Sequence, residues 1–405
     1  MNDSSQYLAR HLAATTTLAP GKRRWGIALL FALVLCANQT QVCFLIPQQA
    51  QIQLQYGLGE LTSSLSILII PILCILLSVP SGRLIDRMGF RRGVALGSSA
   101  LALSLPLRFD DSFLSLMAGQ LLIGISQPLL LNGVSRMAIE WFDEHERGTA
   151  IGIATAGLFL GLAMGLALPP MLVAKTGITQ GLLITGLVGL IPASLLWLCS
   201  TRASAPRQGP AASASLAQLL GTQGMRPVLG STLIGCGLFN ALALSLEPML
   251  TEHGLGAETL SAAGALMILA GVIGSLFIDS LAQRVGGKFI VLAGCGVCVI
   301  PMLCLLYYAT APTSILLYAA MLGACQLPGY ALLIAMSEQI AGKAQAAQAN
   351  SLITLAGNIG AGSGMGLVVL IHSSLGRWAY VIVFLVALAV LQILIVTLCR
   401  SIRQL

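Results

Sequence analysis

The sequence predicts an all-α membrane protein in which twelve transmembrane helices form two pseudo-symmetric bundles of six. Three observations support this prediction: a very apolar composition, apolar segments of membrane-spanning length, and a strongly uneven distribution of positive charge. Of the 405 residues, 57% are hydrophobic and only 9% are charged. A soluble domain of this size would need a much larger charged surface.

The apolar segments are close to twenty residues long, which is the length that an α-helix needs to cross the hydrocarbon core of a bilayer. Short polar stretches separate them, so we predict one helix for each segment. The twelve predicted helices lie at 25–46, 61–82, 93–108, 113–136, 148–174, 178–200, 227–250, 259–282, 288–309, 313–337, 345–371 and 377–399.

The positive charges predict the orientation of these helices. When both termini are placed on one side, eighteen of the twenty-one Lys and Arg residues lie on that side, and only Arg108, Lys175 and Arg377 lie on the other. Loops rich in Lys and Arg stay in the cytoplasm, so we expect cytoplasmic termini. The net charge of +7 then reflects topology and does not indicate nucleic-acid binding. No Lys or Arg is expected inside a membrane core.

The chain divides into two similar halves. A stretch rich in Ala, Ser, Pro and Gly at 201–226 is predicted to be a flexible cytoplasmic linker. Around it we expect a cytoplasmic tail, an N-terminal bundle, a C-terminal bundle and a second tail, at 1–24, 25–200, 227–399 and 400–405. The sequence RMGFRR at 87–92 has a counterpart in RVGGK at 284–288. A repeat at half the chain length indicates two bundles related by a pseudo-two-fold axis.

A dense group of charges, SGRLIDRMGFRR at 81–92, follows the second predicted helix. Its pattern of Gly82, Asp86, Arg87, Gly89, Arg91 and Arg92 resembles the signature of the major facilitator superfamily, found between helices 2 and 3. Together with twelve predicted helices and a degenerate second copy, the resemblance covers nearly the whole chain. It implies the major facilitator fold and transport of a solute by alternating access.

The resemblance also implies a gate on the cytoplasmic side. Asp86 can accept hydrogen bonds from a helix N-terminus of the other half near Ala344, and the loop arginines can pair with carboxylates. Gln283 stands at the matching place in the second half, so we expect a one-sided lock. Asp279 and Glu338 are expected in a surface charge network. The predicted gating residues are Gly82, Asp86, Arg87, Gly89, Arg91, Arg92, Arg136 and Glu140.

In the superfamily, helices 1, 4, 7 and 10 face a central cavity, and their polar residues indicate the substrate because polar groups that face lipid are costly. The predicted substrate-binding residues are Asn38, Gln41, Gln120, Gln127, Asn240, Gln326 and Tyr330. The alternative for each is an interhelical hydrogen bond. The stripe of Asn350, Thr354 and Asn358 on helix 11 is expected to pack against helix 2.

The charges of the membrane segments limit the substrate. Without a cation in the membrane core an anionic substrate is disfavoured, which leaves a neutral, zwitterionic or cationic organic solute. The deepest acid, Glu247, can bind a substrate cation, take up a proton, or lie in the external mouth. Only Cys295 and Cys298 have C-x-x-C spacing, inside an apolar segment, so we expect no metal and no cofactor.

A closer resemblance comes from three segments: ANQTQV at 37–42, WFDEHERGTA at 141–150 and AGLFLGLAMGLALPPMLV at 156–173. They are similar to the feline leukaemia virus subgroup C receptor family of haem and choline transporters. The Asn and Gln of that family's first helix correspond to Asn38 and Gln41. The aromatic residue that follows in the family is Val42 here, which removes part of a cage for a quaternary amine.

We therefore predict a secondary active or facilitative transporter of a small organic solute. The alternatives are a proton-coupled exporter of drugs or metal chelates, and a transporter-like membrane receptor or sensor. No nucleotide-binding loop or catalytic set favours an enzyme. The expected partners are the solute, a proton and the lipid bilayer, with the protein monomeric in a bacterial cytoplasmic (inner) membrane.

Overall fold

The computed structural model describes residues 21–108, 112–200, 216–251 and 257–398. Within these ranges the protein has twelve long helices and three short ones, and no strand. The long helices are α1 (Gly21–Cys43), α2 (Glu60–Met88), α3 (Phe90–Leu107), α4 (Phe113–Trp141), α5 (Arg147–Thr176), α6 (Ile178–Cys199), α7 (Met225–Thr251), α8 (Ala257–Val285), α9 (Lys288–Tyr308), α10 (Pro312–Ala341), α11 (Ala346–Leu375) and α12 (Trp378–Leu398). The predicted all-α fold is confirmed.

Eleven of the long helices in the described chain are long and apolar enough to cross a membrane. The twelfth, α3, has eighteen residues and begins with the basic side chains of the loop signature. The short helices are Ile46–Gln48 and Gln49–Tyr56 before α2, and Leu216–Gly221 before α7. Most of both predicted tails and residues 201–215 of the predicted linker lie outside the described residues.

The two halves pack against each other in a reciprocal way. Helix α11 lies against α2 and α4 of the first half, and α8 lies against α5. In the internal repeat α8 is the counterpart of α2, and α11 is the counterpart of α5. The pairs α2–α11 and α8–α5 are therefore related by the pseudo-two-fold axis that the repeat predicts.

Glycines spaced along α5 let its backbone approach two neighbouring helices. Gly157 and Gly161 lie against backbone carbonyl groups of α1, and Gly152 lies against the carbonyl of Ser275 in α8. A methyl group at any of these positions would overlap the neighbouring carbonyl. Close backbone packing of this kind replaces the hydrophobic driving force that helices lack in lipid. Because these residues lack a side chain, helix α5 can pack closely against both α1 of its own bundle and α8 of the other.

One end of the structure carries the loops at 89, 142–146, 286–287 and 342–345, and we call it the basic face. Gly89 separates α2 from α3 there with a φ of 81°, a left-handed conformation that suits glycine. Gly342 ends α10 with a φ of 73° at the same face. The other end, the opposite face, carries Arg108, Gly177 and Gly376. The gate and the cavity are described relative to these two faces.

Replacing Gly161 by Ala tests the contact between α5 and α1. The new methyl group would overlap the carbonyl of Cys36, and overpacking of a core costs about 1–3 kcal/mol. We expect a lower apparent melting temperature of the purified protein in detergent. Gly366→Ala on α11, where nothing lies within 4 Å of the added carbon, is the matched control. Equal melting temperatures for the two variants would show that α5 does not depend on this close approach.

Candidate functional site

A cavity of about 220 Å³ lies between the two bundles. Helices α1, α4 and α5 form its wall on one side, and α7, α9, α10, α11 and α12 form the other. Its polar side chains are Gln39, Gln127, Thr232, Asn240, Gln326, Tyr330, Thr354, Asn358 and Gln392. Among the described residues that line it, none is charged. The cavity thus offers amides and hydroxyls to a ligand and no compensating charge.

Four of the predicted substrate-binding residues line this cavity, and three of them are amides. Gln127 donates from Nε2 to Oε1 of Gln39 at 3.3 Å, which joins α4 to α1. Asn240 and Gln326 donate to backbone carbonyl groups of α7, at 2.9 and 3.4 Å. The Oε1 atom of Gln127 is buried and has no partner in the described part of the protein. Within the described residues it is thus an unpaired acceptor on a side chain that lines the cavity.

The fourth residue, Tyr330, forms an aromatic contact across the two halves. Its ring centroid lies 6.3 Å from that of Phe159, with the rings edge to face. Phe159 comes from α5 and Tyr330 from α10, and both line the cavity. Leu327 and Ile268 pack against the same pair. The cavity therefore has an apolar, aromatic wall beside its amides, suited to a solute with both polar and apolar parts.

The other three predicted residues lie within the N-terminal bundle, away from the cavity. Asn38 is fully buried and donates to Ser126 of α4 at 3.2 Å. Gln41 and Gln120 are also buried. The reason is helical geometry: successive residues point about 100° apart, so Gln39 faces the cavity while its neighbours on α1 face other helices.

Gln41 and Gln120 are held by a buried cation. Arg108 donates from Nη1 to Oε1 of Gln41 at 2.5 Å and from Nη2 to Oε1 of Gln120 at 2.8 Å. Their amide nitrogens donate to Thr185 at 2.7 Å and to the carbonyl of Ser66 at 2.6 Å. The network ties together α1, α2, α3, α4 and α6.

Arg108, which the charge distribution places on the side away from the termini, is buried within the N-terminal bundle and only 2% exposed. Helix α3 ends at Leu107, and the long side chain of Arg108 turns back between its neighbours. Its aliphatic part lies against Gly119, where a Cβ atom would overlap it. Gly119, next to Gln120, is the sequence signal that could have predicted the burial of the Arg108 side chain.

At the basic face, Asp86 of α2 contacts the N-terminus of α11. Its carboxylate oxygens accept hydrogen bonds from the backbone N–H groups of Ala347 at 3.1 Å and Gln348 at 2.8 Å. Arg136 lies 3.9 Å from Asp86 and 2.5 Å from Glu140. The first turn of a helix has unpaired N–H groups and a partial positive charge, so a carboxylate is favourable there.

Three more contacts complete this junction. A Cβ atom at Gly82 would lie 2.7 Å from the carbonyl oxygen of Ala347, so α11 approaches α2 only because residue 82 is a glycine. Arg136 also donates to the carbonyl of Lys343 in the second half, at 3.3 Å. Glu140 accepts a hydrogen bond from the backbone N–H of Phe90 at 3.1 Å. The junction thus fixes the turn between α2 and α3 as well as the two halves.

The loop arginines are placed differently from the prediction. Within the described ranges, no ion pair joins Arg87, Arg91 or Arg92 to a carboxylate, and Arg136 of α4 forms those pairs instead. Arg87 and Arg92 are exposed. The guanidinium of Arg91 lies 5.2 Å from the ring centroid of Trp197 on α6. The loop charges therefore point outward or along the bundle surface, while the charge that reaches the junction comes from α4.

A matching contact exists in the second half, where a one-sided lock was expected. Asp279 of α8 accepts hydrogen bonds from Thr149 at 3.4 Å and Gln283 at 2.8 Å, next to the N-terminus of α5. A Cβ atom at Gly148 would overlap the Asp279 carboxylate. Gln283 also donates to the carbonyl of His145 at 3.1 Å. Asp279 lies about one helical turn before Gln283, the residue that was matched to Asp86.

Asp279 and Glu338 were expected in a surface charge network. They are buried instead, with only 3% and 4% of their surface exposed. Glu338 of α10 pairs with Arg147 at the start of α5, at 3.2 Å. Both acids therefore belong to the junction between the halves. The side chain of Glu247, the predicted coupling residue, lies outside the described part of the structure.

Helix α11 contributes more to the cavity than the sequence suggested. Thr354 contacts Asn132 at 3.4 Å and Asn358 contacts Cys74 of α2 at 3.6 Å, and both also line the cavity. Gln39 and Gln392 were missed as well. Gln392 interrupts a run of apolar residues in α12, and a polar residue in such a run is a signal that sequence reasoning could have used.

Comparison with known proteins identifies the family to which this chain belongs. A family model described as Major Facilitator Superfamily matches residues 27–321 and 228–403. A solved structure described as a Major Facilitator Superfamily transporter, FucP, in the outward conformation covers 92% of this chain and 97% of its own chain, with a TM-score of 0.74 and 14% sequence identity. At that identity the likeness shows the fold alone. The predicted resemblance to the superfamily is confirmed.

Curated relatives match over parts of their length. Solute carrier family 49 member A3 from Danio rerio is 28% identical over 65% of this chain and 60% of its own length. Choline/ethanolamine transporter flvcr2b from Danio rerio is 27% identical over 63% and 58%. Probable anion transporter 4, chloroplastic, from Arabidopsis thaliana is 38% identical over 33% and 25%. The chain thus spans less than two thirds of each relative, and flvcr2b supports the closer resemblance.

Replacing Arg108 by Met tests the buried network in the N-terminal bundle. The change leaves the amide oxygens of Gln41 and Gln120 buried without a donor, and each such group costs about 1–3 kcal/mol. We expect a clearly lower apparent melting temperature in detergent. Arg377→Met removes an exposed charge from the same face and should change the melting temperature little. Similar values for both variants would mean that the network does not stabilise the bundle.

Proposed function

Because this chain belongs to the Major Facilitator Superfamily, we propose that it is a secondary active or facilitative transporter that moves a small organic solute by alternating access. The family and its transporter relatives indicate a transporter rather than an enzyme. The observation that carries the proposal is the amide-lined cavity between two bundles that are joined at one face. In our proposal the basic face is cytoplasmic, the membrane is a bacterial cytoplasmic membrane, and one chain is sufficient.

We propose a neutral, zwitterionic or cationic substrate. Burying an ionised group without a partner is very costly, and the described lining has no Lys or Arg that would compensate an anion. The free Oε1 of Gln127 can accept a hydrogen bond from an amine or hydroxyl. The pair of Phe159 and Tyr330 offers an apolar face, which also suits an ammonium group.

The size of the cavity favours a small solute over a drug. Pockets for drug-sized ligands have volumes of about 300–1,000 Å³, whereas this cavity has about 220 Å³. A solute of few heavy atoms fits this space without rearrangement. Export of drugs or of bulky metal chelates is therefore the weaker alternative. A receptor or sensor would need the same cavity but no cycle of opening at the basic face.

An organic anion is the second candidate. Two observations favour it: a relative is named an anion transporter, and Arg108 is a cation buried near the opposite face. Arg108 is not among the residues that line the cavity, and two of its N–H groups are bound to Gln41 and Gln120. An anion would have to replace those amide oxygens. We therefore rank it below a solute without net negative charge.

We also propose that the two junctions at the basic face are the gate. Each one places a carboxylate of one half at a helix N-terminus of the other: Asp86 at α11 and Asp279 at α5. Arg147 and Glu338 add an ion pair between the halves. Opening the basic face would separate all of these groups. The arrangement described here is then the state closed toward the cytoplasm.

A ligand screen tests the substrate proposal. We expect a neutral, zwitterionic or cationic solute to raise the melting temperature of the purified protein, and the same solute to be taken up by proteoliposomes. Gln127→Leu removes the free acceptor and should weaken binding about tenfold, equivalent to roughly 1.4 kcal/mol. Gln55→Leu, at an exposed position outside the cavity, is the control. Stabilisation by carboxylates alone would support the anion instead, and binding without uptake would support a receptor.

The gate is tested by Asp86→Asn and Asp279→Asn. Each removes a charge from a helix N-terminus, and charge-assisted hydrogen bonds contribute roughly 1.5–3 kcal/mol, enough to shift a balanced equilibrium more than tenfold. We expect less transport at normal expression, and faster thiol labelling of Ser351→Cys, which is buried in the junction.

Asp143→Asn is the matched control, since Asp143 pairs with Arg24 within one half, at 3.2 Å. Labelling as fast in this variant as in the other two would contradict the gate. An effect from Asp86 alone would restore the one-sided lock.

A further inference from the structure

A groove of about 380 Å³ runs between α3 and α6 on the outside of the N-terminal bundle, near the basic face. Its lining includes Arg91, Ser98, Ser194 and Trp197 among mostly apolar residues. Apolar side chains of α6 are exposed beside the groove: Trp197 is 52% and Leu198 is 58% exposed. Exposed apolar groups on a membrane-spanning helix face lipid. The groove therefore opens toward the bilayer and is separate from the central cavity.

Arg91 is the unusual group in this groove. Its guanidinium lies over the ring of Trp197, 5.2 Å from the centroid, and in the described structure it pairs with no carboxylate. Its Nε atom is buried and has no hydrogen-bond acceptor among the described residues. A cation beside hydrocarbon without a counterion is costly. None of the residues that line the groove supplies a negative charge to pair with Arg91.

Ser98 is the second unpartnered group. Its hydroxyl is buried and makes no hydrogen bond within the described ranges. Ser98 is seven residues beyond Arg91 on α3, which places it about 10 Å deeper along the helix. A single small anion cannot reach both groups. A molecule with an anionic end and a hydrogen-bond acceptor some ångströms further along its length can.

We propose that this groove binds one anionic phospholipid. The phosphate lies against Arg91 at the level of the basic face, an ester oxygen of the glycerol accepts a hydrogen bond from Ser98, and an acyl chain fills the space between α3 and α6. Trp197 lies where interfacial tryptophans are enriched. Basic pockets between membrane helices select anionic headgroups in the same way. The net negative charge distinguishes this lipid from a zwitterionic one.

The groove does not follow from the fold alone, because the matching helices of the second half are in contact. Lys288 and Cys295 of α9 stand where Arg91 and Ser98 stand in α3. The next residue, Gly296, packs directly on α12: a Cβ atom there would lie 2.8 Å from Ile393. The corresponding space is therefore closed at that level. The site is specific to α3 and α6.

Native mass spectrometry of the full chain in detergent tests the site, with phosphatidylglycerol and phosphatidylcholine of identical acyl chains as probes. We expect retention of one phosphatidylglycerol in preference to phosphatidylcholine. Arg91→Gln should weaken this retention about tenfold, the value of one charge-assisted hydrogen bond. Arg92→Gln, an exposed charge on the same helix, should change it less than twofold.

A second variant, Ala95→Phe, fills the groove and keeps every charge. It should reduce retention of phosphatidylglycerol as Arg91→Gln does, with the melting temperature in lipid-free detergent showing that the chain is folded. Equal retention of the two lipids by the wild-type protein would overturn the proposal, as would equal losses in the variants at 91 and 92. Displacement of the lipid by glycerol 3-phosphate at equal concentration would also overturn it, because the acyl chains would then contribute nothing.

Discussion

The arrangement of the two bundles depends on one interaction, the hydrogen bonding of a carboxylate at a helix N-terminus across the interface. The first N–H groups of a helix have no partner within it, and in an apolar environment they must find one. Asp86 supplies both of its oxygens to the first turn of α11. This satisfies the helix end and fixes α11 against α2. The cavity wall formed by Thr354 and Asn358 is held in place by that attachment.

The second junction also places a carboxylate beside the first turn of a helix of the other half, with the small residue on the other partner. At the first junction a glycine of α2, Gly82, makes room for α11; at the second a glycine of α5, Gly148, makes room for Asp279. Counted back from the turn glycines Gly89 and Gly286, Gly82 and Asp279 occupy the same position. The two halves have therefore kept the contact and exchanged the residues that form it. A comparison of equivalent positions alone overlooks this.

The sequence was sufficient for the fold because membrane helices, loop charges and the repeat are determined by local composition and length. Together with the resemblance to the superfamily, it was also sufficient to place Gln127, Asn240, Gln326 and Tyr330 on helices that face the cavity. The sequence could not predict which polar residues of α1 face the cavity. Gln39 and Gln41 lie on the same helix and differ only in the direction in which their side chains point. Burial of Arg108 depends on the space left by Gly119, a tertiary contact. Likewise, the contact of Asp279 with α5 depends on the packing of two helices far apart in the chain.

Phe159 and Tyr330 belong to different halves, and their rings meet at the wall of the cavity. In the proposed alternating access, these two rings would move relative to each other at this point. A solute bound against both rings would then contact both moving halves. A molecule that fits the closed arrangement too closely would hinder the movement and act as an inhibitor. Selectivity in such a protein is then a property of the rotation as well as of the resting cavity.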